Sequence, residues 1–79
     1  MDGYSKRLID DNRAAKATHI GVKLGRLCIK MDIPVTHVAE YCGVSRMTVY
    51  NWFKGLTYPR TKVAPILLKL TDKLASRST

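Results

Sequence analysis

The stretch VAEYCGVSRMTVYNWFKG, residues 38–55, places a glycine between two segments that both have helical periodicity. Only Gly43 and Val44 separate Cys42 from Ser45, so two helices must change direction within a very short connection. Glycine can end a helix in the left-handed conformation because it has no Cβ, and the Ser45 hydroxyl can cap the helix that follows. The stretch therefore predicts two helices joined by a sharp turn, with Val44 as an apolar contact between them.

Apolar residues that recur every three or four positions predict further helices on both sides of this turn. Pro34 marks a boundary, because proline disfavours a helical conformation in the preceding residue and suits the first turn of a new helix. Pro65 lies early enough in the last helix to be tolerated there. The expected elements are helices at 18–31, 35–42 and 45–53, with Gly55 ending the third, and a fourth helix that is capped by Thr61 and frays after about residue 74.

Each predicted helix has one apolar face, which we expect to form the core. The inward residues are Ile20, Leu24, Leu27 and Met31, then Val35, Val38, Ala39 and Cys42, then Val49 and Trp52, and finally Val63, Ile66, Leu67, Leu70 and Leu74. The outward residues are Thr36, His37, Glu40 and Tyr41 on the second helix and Arg46, Met47, Tyr50, Asn51 and Lys54 on or beside the third. The third helix therefore presents a polar and basic face to solvent.

The chain of 79 residues is expected to form one domain with a small core. One Phe, one Trp and little alternation of β-branched with polar residues favour helices over a sandwich or barrel. The expected fold class is all-α, a compact four- to five-helix bundle. Its expected organisation is a polar N-terminal arm or frayed helix at 1–17, the folded domain at 18–75 and a C-terminal tail at 76–79.

The chain carries a formal charge of +8, from 14 Lys and Arg against 6 Asp and Glu. So basic a surface attracts polyanions such as nucleic acid. The charge alone also allows a membrane or protein partner, or a basic face that serves only solubility. It does not decide between these classes.

Several other functions find no support in the sequence. Residues 1–13 lack the continuous apolar run of a secretory signal, and the aliphatic run 66–68 is too short to span a membrane. Cys28 and Cys42 have neither disulfide-scaffold nor zinc-ribbon spacing, which fits a reducing cytoplasm. No catalytic constellation is present, so we expect no enzyme, no metal and no cofactor.

Eight positions and their flanking helices resemble the helix-turn-helix DNA-binding domains of the phage repressor and Cro type, the lambda repressor-like fold. IGVKLGRL from Ile20 is similar to the first helix of that family, and PRTKVAPILLKL, residues 59–70, to its fourth helix and preceding turn. Two positions depart from the family, because Val35 stands where many relatives have a phosphate-binding Gln and Cys28 where many have Arg. The eight positions are Ala39, Gly43, Val44, Ser45, Thr48, Val49, Trp52 and Gly55.

The resemblance implies a sequence-specific double-stranded DNA-binding transcription regulator, a Cro-like repressor that acts by occupying its operator. A homodimer or cooperative pair on DNA is then expected, in the cytoplasm or nucleoid of a bacterial host, with no membrane or small-molecule ligand. One alternative is a small adaptor that uses the same scaffold to bind a host protein. Another is an architectural, excisionase-like recombination factor that shares the DNA contacts.

The resemblance also assigns roles to single residues. Arg46 is suited to guanine and Asn51 to adenine, while Met47 and Thr48 offer methyl groups to thymine. For each of them the alternative is an ordinary solvated helix face, and Thr48 is also a candidate for partial burial. Arg7, Arg13 and Lys16 either wrap the duplex or only solubilise the arm. Contacts with the DNA backbone are expected from Ser45, Tyr50, Lys54, Arg60 and Lys62.

Overall fold

Five helices account for all regular secondary structure in residues 4–77, the part of the chain that the computed structural model describes. In chain order they are α1 (Lys6–Ala14), α2 (Ile20–Met31), α3 (Val35–Cys42), α4 (Arg46–Phe53) and α5 (Ala64–Arg77). The expected all-α bundle is therefore confirmed. None of the helices within 4–77 combines the length and the apolar character that crossing a membrane requires.

Helix α2 lies at the centre of the bundle and packs against α1, α4 and α5. The prediction of which residues of α2 are buried is only partly correct. Leu24 is fully buried, whereas Ile20, Leu27 and Met31 are half-buried against the edge of the core. A helix with neighbours on several sides buries more than one stripe, and so Val22 and Cys28 are also completely inaccessible.

Two glycines on α2 allow a close approach between α2 and α4. A Cβ added to Gly21 would lie 2.6 Å from Cβ of Trp52 and 2.9 Å from its carbonyl oxygen. A Cβ added to Gly25 would lie 2.8 Å from Cγ of Phe53. Contacts this short do not occur in packed interiors, so α4 can reach its position only because both side chains are absent.

The turn between α3 and α4 has the predicted conformation. Gly43 adopts φ 71° and ψ 36°, in the left-handed region. Its N–H donates to the carbonyl of Glu40 at 3.3 Å, and the N–H of Val44 donates to the carbonyl of Ala39 at 3.0 Å. This double hydrogen bond satisfies the last carbonyls of α3 and is the usual glycine-terminated helix end. Val44 is half-buried and packs against the core, as expected.

Helix α3 follows the predicted division into inward and outward faces, and α4 follows it except at Tyr50, an expected outward residue that is half-buried and packs against the core. All four expected inward residues of α3 are buried, and its four expected outward residues are exposed. In α4, Val49 and Trp52 are buried, and so is Phe53. Ser45 caps α4 by accepting a hydrogen bond from the N–H of Thr48. These two helices span the same residues that the sequence predicts, apart from Ser45 itself, which serves as the cap.

The N-terminal segment differs from the expected arm or frayed helix at 1–17. Residues 6–14 form α1, which is capped by Ser5 and packs against α2. Leu8 and Asn12, one turn apart on α1, are both buried. The segment has few apolar residues, but it still packs against the domain because the buried amide of Asn12 forms hydrogen bonds with other parts of the chain. Residues 1–3 of the expected arm lie outside the described part of the chain.

The last helix also differs from its prediction. It begins at Ala64, so the expected cap, Thr61, lies in a turn before the helix, where the carbonyl of Arg60 accepts the N–H groups of both Val63 and Ala64. Ile66 is 38% exposed, whereas Leu67 and Leu74 are buried and Leu70 is half-buried against the core. The helix continues to Arg77, past the expected domain end at residue 75. Residues 78–79 of the expected tail are outside the described range.

Candidate nucleic-acid interface

The outer face of α4 consists of the five side chains that lie opposite its buried residues: Arg46, Met47, Tyr50, Asn51 and Lys54. Arg46 and Met47, at the start of the helix, are exposed, and Met47 is 65% accessible. The other three are half-buried. This arrangement gives α4 an accessible N-terminal end, the end that helix-turn-helix proteins direct at base edges.

Helical spacing divides the outer face of α4 into two rows. Arg46, Tyr50 and Lys54 recur every four residues and line a groove between α4 and α1, called here the α1 groove. Met47 and Asn51 form the second row, which lies outside that groove. Both cationic side chains are therefore on the α1 side together with Tyr50, whereas Met47 and Asn51 are on the other side.

Ser45 and Thr48 are brought together at the N-terminus of α4, but they are occupied with each other. The Ser45 Oγ accepts the Thr48 N–H at 3.2 Å, and the two hydroxyl oxygens share a hydrogen bond of 2.9 Å. Thr48 is half-buried. Any contact of either hydroxyl with DNA therefore competes with the cap that holds the first turn of the helix.

Arg60 and Lys62 lie in the connection between α4 and α5, and both are exposed. Neither lines the α1 groove. The structure thus brings seven of the nine predicted site residues together on or at the start of α4 and leaves these two on a separate segment.

The connection after α4 is anchored by His19, a residue that the sequence analysis did not select. Its Nδ1 accepts the N–H groups of Gly21 and Val22, at 2.9 and 3.4 Å, and so caps α2. Its Nε2 is 2.8 Å from the carbonyl oxygen of Thr57, and because a carbonyl can only accept, Nε2 carries the proton. The ring of Tyr58 stacks on the imidazole at a centroid distance of 4.0 Å. The only feature of the sequence that could have identified His19 is its position as a hydrogen-bonding side chain directly before an apolar helix.

Asn12 is a second residue that sequence reasoning missed. It is 1% exposed, and its Nδ2 donates to the carbonyl of Phe53 at 2.7 Å and to that of Val22 at 3.3 Å. The Phe53 carbonyl belongs to the last turn of α4, where no further helical N–H is available to it. Asn12 therefore connects α1 directly to the end of α4. The only feature of the sequence that could have identified Asn12 as buried is its position four residues after Leu8, on the same face of the helix.

Two further contacts hold α1 in place beside α4. The hydroxyl of Tyr4 donates to the carbonyl of Ile33, and its ring lies 6.1 Å from that of Phe53. Burial is the main cause that raises the pKa of Tyr4 above its ordinary value, so the phenol remains a donor. The Arg26 guanidinium donates to three carbonyls at the end of α1, where a cation is also favoured by the helix dipole.

The two cysteines are free thiols in the core. Burial, and after it the proximity of Cys42, raises the pKa of Cys28 to about 12, and burial also raises the pKa of Cys42. Both groups are therefore neutral and poor nucleophiles at physiological pH. Within residues 4–77, no group of three or more His, Cys, Asp or Glu side chains could hold a metal ion.

Comparisons with protein-family models, with curated proteins and with solved structures find no match to this chain. The geometry around α4 is therefore the basis on which a function is assigned.

Proposed function

We propose that this protein is a sequence-specific double-stranded DNA-binding transcription regulator, a Cro-like repressor of phage type that acts by occupying its operator. The observation that carries the proposal is the outer face of α4. It follows a left-handed glycine turn after α3, and its accessible N-terminal end bears a free arginine. An eight-residue helix held in this way is able to enter a major groove about 12 Å wide.

The two rows of the outer face suit two different tasks. Met47 and Asn51 are uncharged and can contact base edges, Asn51 with adenine and Met47 with a thymine methyl group. Lys54 and Tyr50 can contact the DNA backbone, which positions the helix without reading sequence. Arg46 lies at the start of α4, where it can reach guanine, the commonest specific partner of arginine. The overall charge of +8 favours approach to a duplex.

A pair of copies fits this mode of binding. The longest dimension of the molecule is 30 Å, less than the ~34 Å between half-sites one helical turn apart. Two copies can therefore lie side by side on one face of the duplex, each with α4 in a major groove. Because one domain reads few base pairs, specific affinity is expected to need such a pair.

The first experiment is the salt dependence of duplex binding, measured by gel retardation or fluorescence anisotropy. If each copy neutralises about five phosphates, the logarithm of the association constant falls with the logarithm of salt concentration at a slope near −4 to −5. A flat response contradicts DNA binding. Selection of bound duplexes from a random pool then provides the operator, and a palindrome with half-sites about 10 base pairs apart supports the paired arrangement.

The second experiment separates base reading from backbone contact. Arg46→Ala is expected to lose about 1–3 kcal/mol of discrimination at one base position, whereas Lys54→Ala weakens all sequences alike. The matched controls are Arg13→Ala and Lys73→Ala, which remove the same charges from exposed positions on α1 and α5. Equal effects of Arg46→Ala and Lys54→Ala on every sequence contradict this division of roles.

One observation favours a second candidate, an adaptor that binds a host protein through the same helix. Met47 is 65% exposed at the centre of the accessible end of α4, and Tyr50 lies beside it. Isolated exposed apolar residues are common on any surface, so this support is weaker. Under this candidate, Met47→Ala would abolish partner binding while duplex affinity is absent in the unchanged protein.

A further inference from the structure

The α1 groove joins the outer face of α4 to the helix that stands where a polar arm or frayed helix was expected. It has a volume of about 560 Å³, and α1, the start of α3 and α4 all contribute to its walls. Arg7 on α1 lines it together with Arg46 and Lys54. None of these three cations takes part in an ion pair or hydrogen bond within residues 4–77, so all three are available to an external anion.

The position of Arg7 relative to α4 is fixed by buried contacts at both ends of α1. Tyr4 lies just before α1 and packs on Phe53, and Asn12 near its end donates to the Phe53 carbonyl. Arg26 holds the carbonyls at the C-terminus of α1. These contacts dock α1 on the rest of the domain. Arg7 therefore stands on a docked helix and not on a separate tail.

We infer that α1 is part of the DNA-binding surface and that Arg7 binds a backbone phosphate next to the bases read by α4. This inference rests on the proposed function. When α4 lies in the major groove, the α1 groove faces the strand at the edge of that groove. Lys54 at the end of α4 and Arg7 on α1 then follow the same strand, while Arg46 at the start of α4 reaches guanine. Phosphate contact from α1 adds affinity and fixes the register of α4 without reading sequence.

The groove is also lined by two carboxylates, Asp11 and Asp32. Removal of a negative charge and removal of a positive charge from the groove should therefore have opposite effects on DNA binding. Asp11 lies one turn after Arg7 on α1, on the same side of the helix. A carboxylate that faces a phosphate repels it, so removal of the Asp11 charge strengthens binding where removal of the Arg7 charge weakens it. A surface that does not meet the duplex would show neither effect beyond the general change in net charge.

Arg13 and Lys16, at and after the other end of α1, are exposed and do not line the groove. They carry the same charge as Arg7 on the same segment, but they lie outside the groove that Arg46 and Lys54 line. Arg13→Ala is therefore a matched control for Arg7→Ala, with the same side-chain truncation, helix and net charge.

The experiment compares the complete chain with Arg7→Ala, Arg7→Lys, Asp11→Asn and Arg13→Ala, using one duplex and a series of salt concentrations. Arg7→Ala is expected to reduce the salt slope by about one and to weaken binding about fivefold near 0.15 M salt. Arg7→Lys retains the slope, and Asp11→Asn strengthens binding. Arg13→Ala leaves the slope unchanged. Thermal melting of each variant verifies that these exposed or half-buried positions leave the fold intact.

Identical salt slopes for Arg7→Ala and Arg13→Ala would overturn the role of α1 while leaving the proposed function in place. Weaker binding by Asp11→Asn would also contradict it. If the unchanged protein binds no duplex at any salt concentration, the proposed function fails, and the inference about α1 fails with it.

Discussion

The turn at Gly43 allows the contribution of backbone conformation to stability to be measured almost in isolation. Gly43 has φ 71°, and a Cβ added there would meet no atom within 4 Å. Gly43→Ala therefore introduces no steric clash. Its only direct cost in the folded state is the left-handed conformation of an L-residue, which is about 1–2 kcal/mol.

An effect on the unfolded chain reduces this cost. Alanine restricts the unfolded ensemble more than glycine does, which stabilises the variant by about 0.4–1 kcal/mol. The expected net loss for Gly43→Ala is therefore about 1 kcal/mol of the free energy of unfolding. For a domain of this size such a loss lowers the melting temperature by roughly 4–8 °C.

Urea denaturation at neutral pH, followed by the fluorescence of the single, buried Trp52, measures this loss directly. The midpoint should fall while the dependence on urea concentration stays unchanged, because the buried surface is the same. Gly43→Asn is the matched control. Asparagine tolerates the left-handed conformation better than alanine, so its stability should lie between those of the other two proteins.

Equal stability of Gly43→Ala and the unchanged protein would refute the left-handed turn, and so would an asparagine variant that is less stable than the alanine variant. A loss above about 3 kcal/mol would also contradict the structure, because it would require a clash that the open space around Gly43 does not allow.

Three further perturbations test the packing of the interior. Asn12→Ala leaves the buried Phe53 carbonyl without its 2.7 Å donor and should cost about 2–3 kcal/mol in urea denaturation, whereas the exposed control Arg13→Ala should change stability by less than about 0.5 kcal/mol. Gly21→Ala forces a Cβ to within 2.9 Å of the Trp52 carbonyl oxygen and should cost about 3 kcal/mol by the same measurement, despite the better helix propensity of alanine. The free energy of unfolding should fall as pH rises from 9 towards 12, because the Cys28 thiol ionises with a pKa of 9.0 when unfolded but about 12 when folded. Denaturation at several alkaline pH values should show that Cys28→Ala removes about 1.4 kcal/mol per pH unit from this slope, and an unchanged slope contradicts the burial of the thiol.

The elements that the sequence predicts correctly are those specified by neighbouring residues. The bounds of α3, the left-handed Gly43 and the Ser45 cap each depend on partners within about one turn. Spacing alone also identifies the inward face of α4, with Val49 and Trp52. In such short segments the period of apolar residues and the identity of the cap leave few alternatives.

The errors lie where the outcome depends on distant neighbours. Ile66 matches the apolar spacing of α5 and is nevertheless exposed, because only the direction from which α2 packs decides which stripe is buried. The segment 6–14 has little apolar character and is nevertheless docked, because its buried Asn12 finds carbonyls on two other helices. The contacts of the predicted DNA-binding residues with DNA remain predictions.

By itself, the sequence determined the helical class, the sharp turn at Gly43 and the polar side of α4, since these follow from local conformational preferences and from periodicity. Only the tertiary structure decided that α1 belongs to the globule and that Arg7 shares a groove with Arg46 and Lys54. The contacts responsible join residues that are far apart in sequence, 41 positions for Asn12 with Phe53 and 38 for His19 with Thr57. No local pattern specifies such pairs, because they form only where the packing of several helices brings a donor and a carbonyl together.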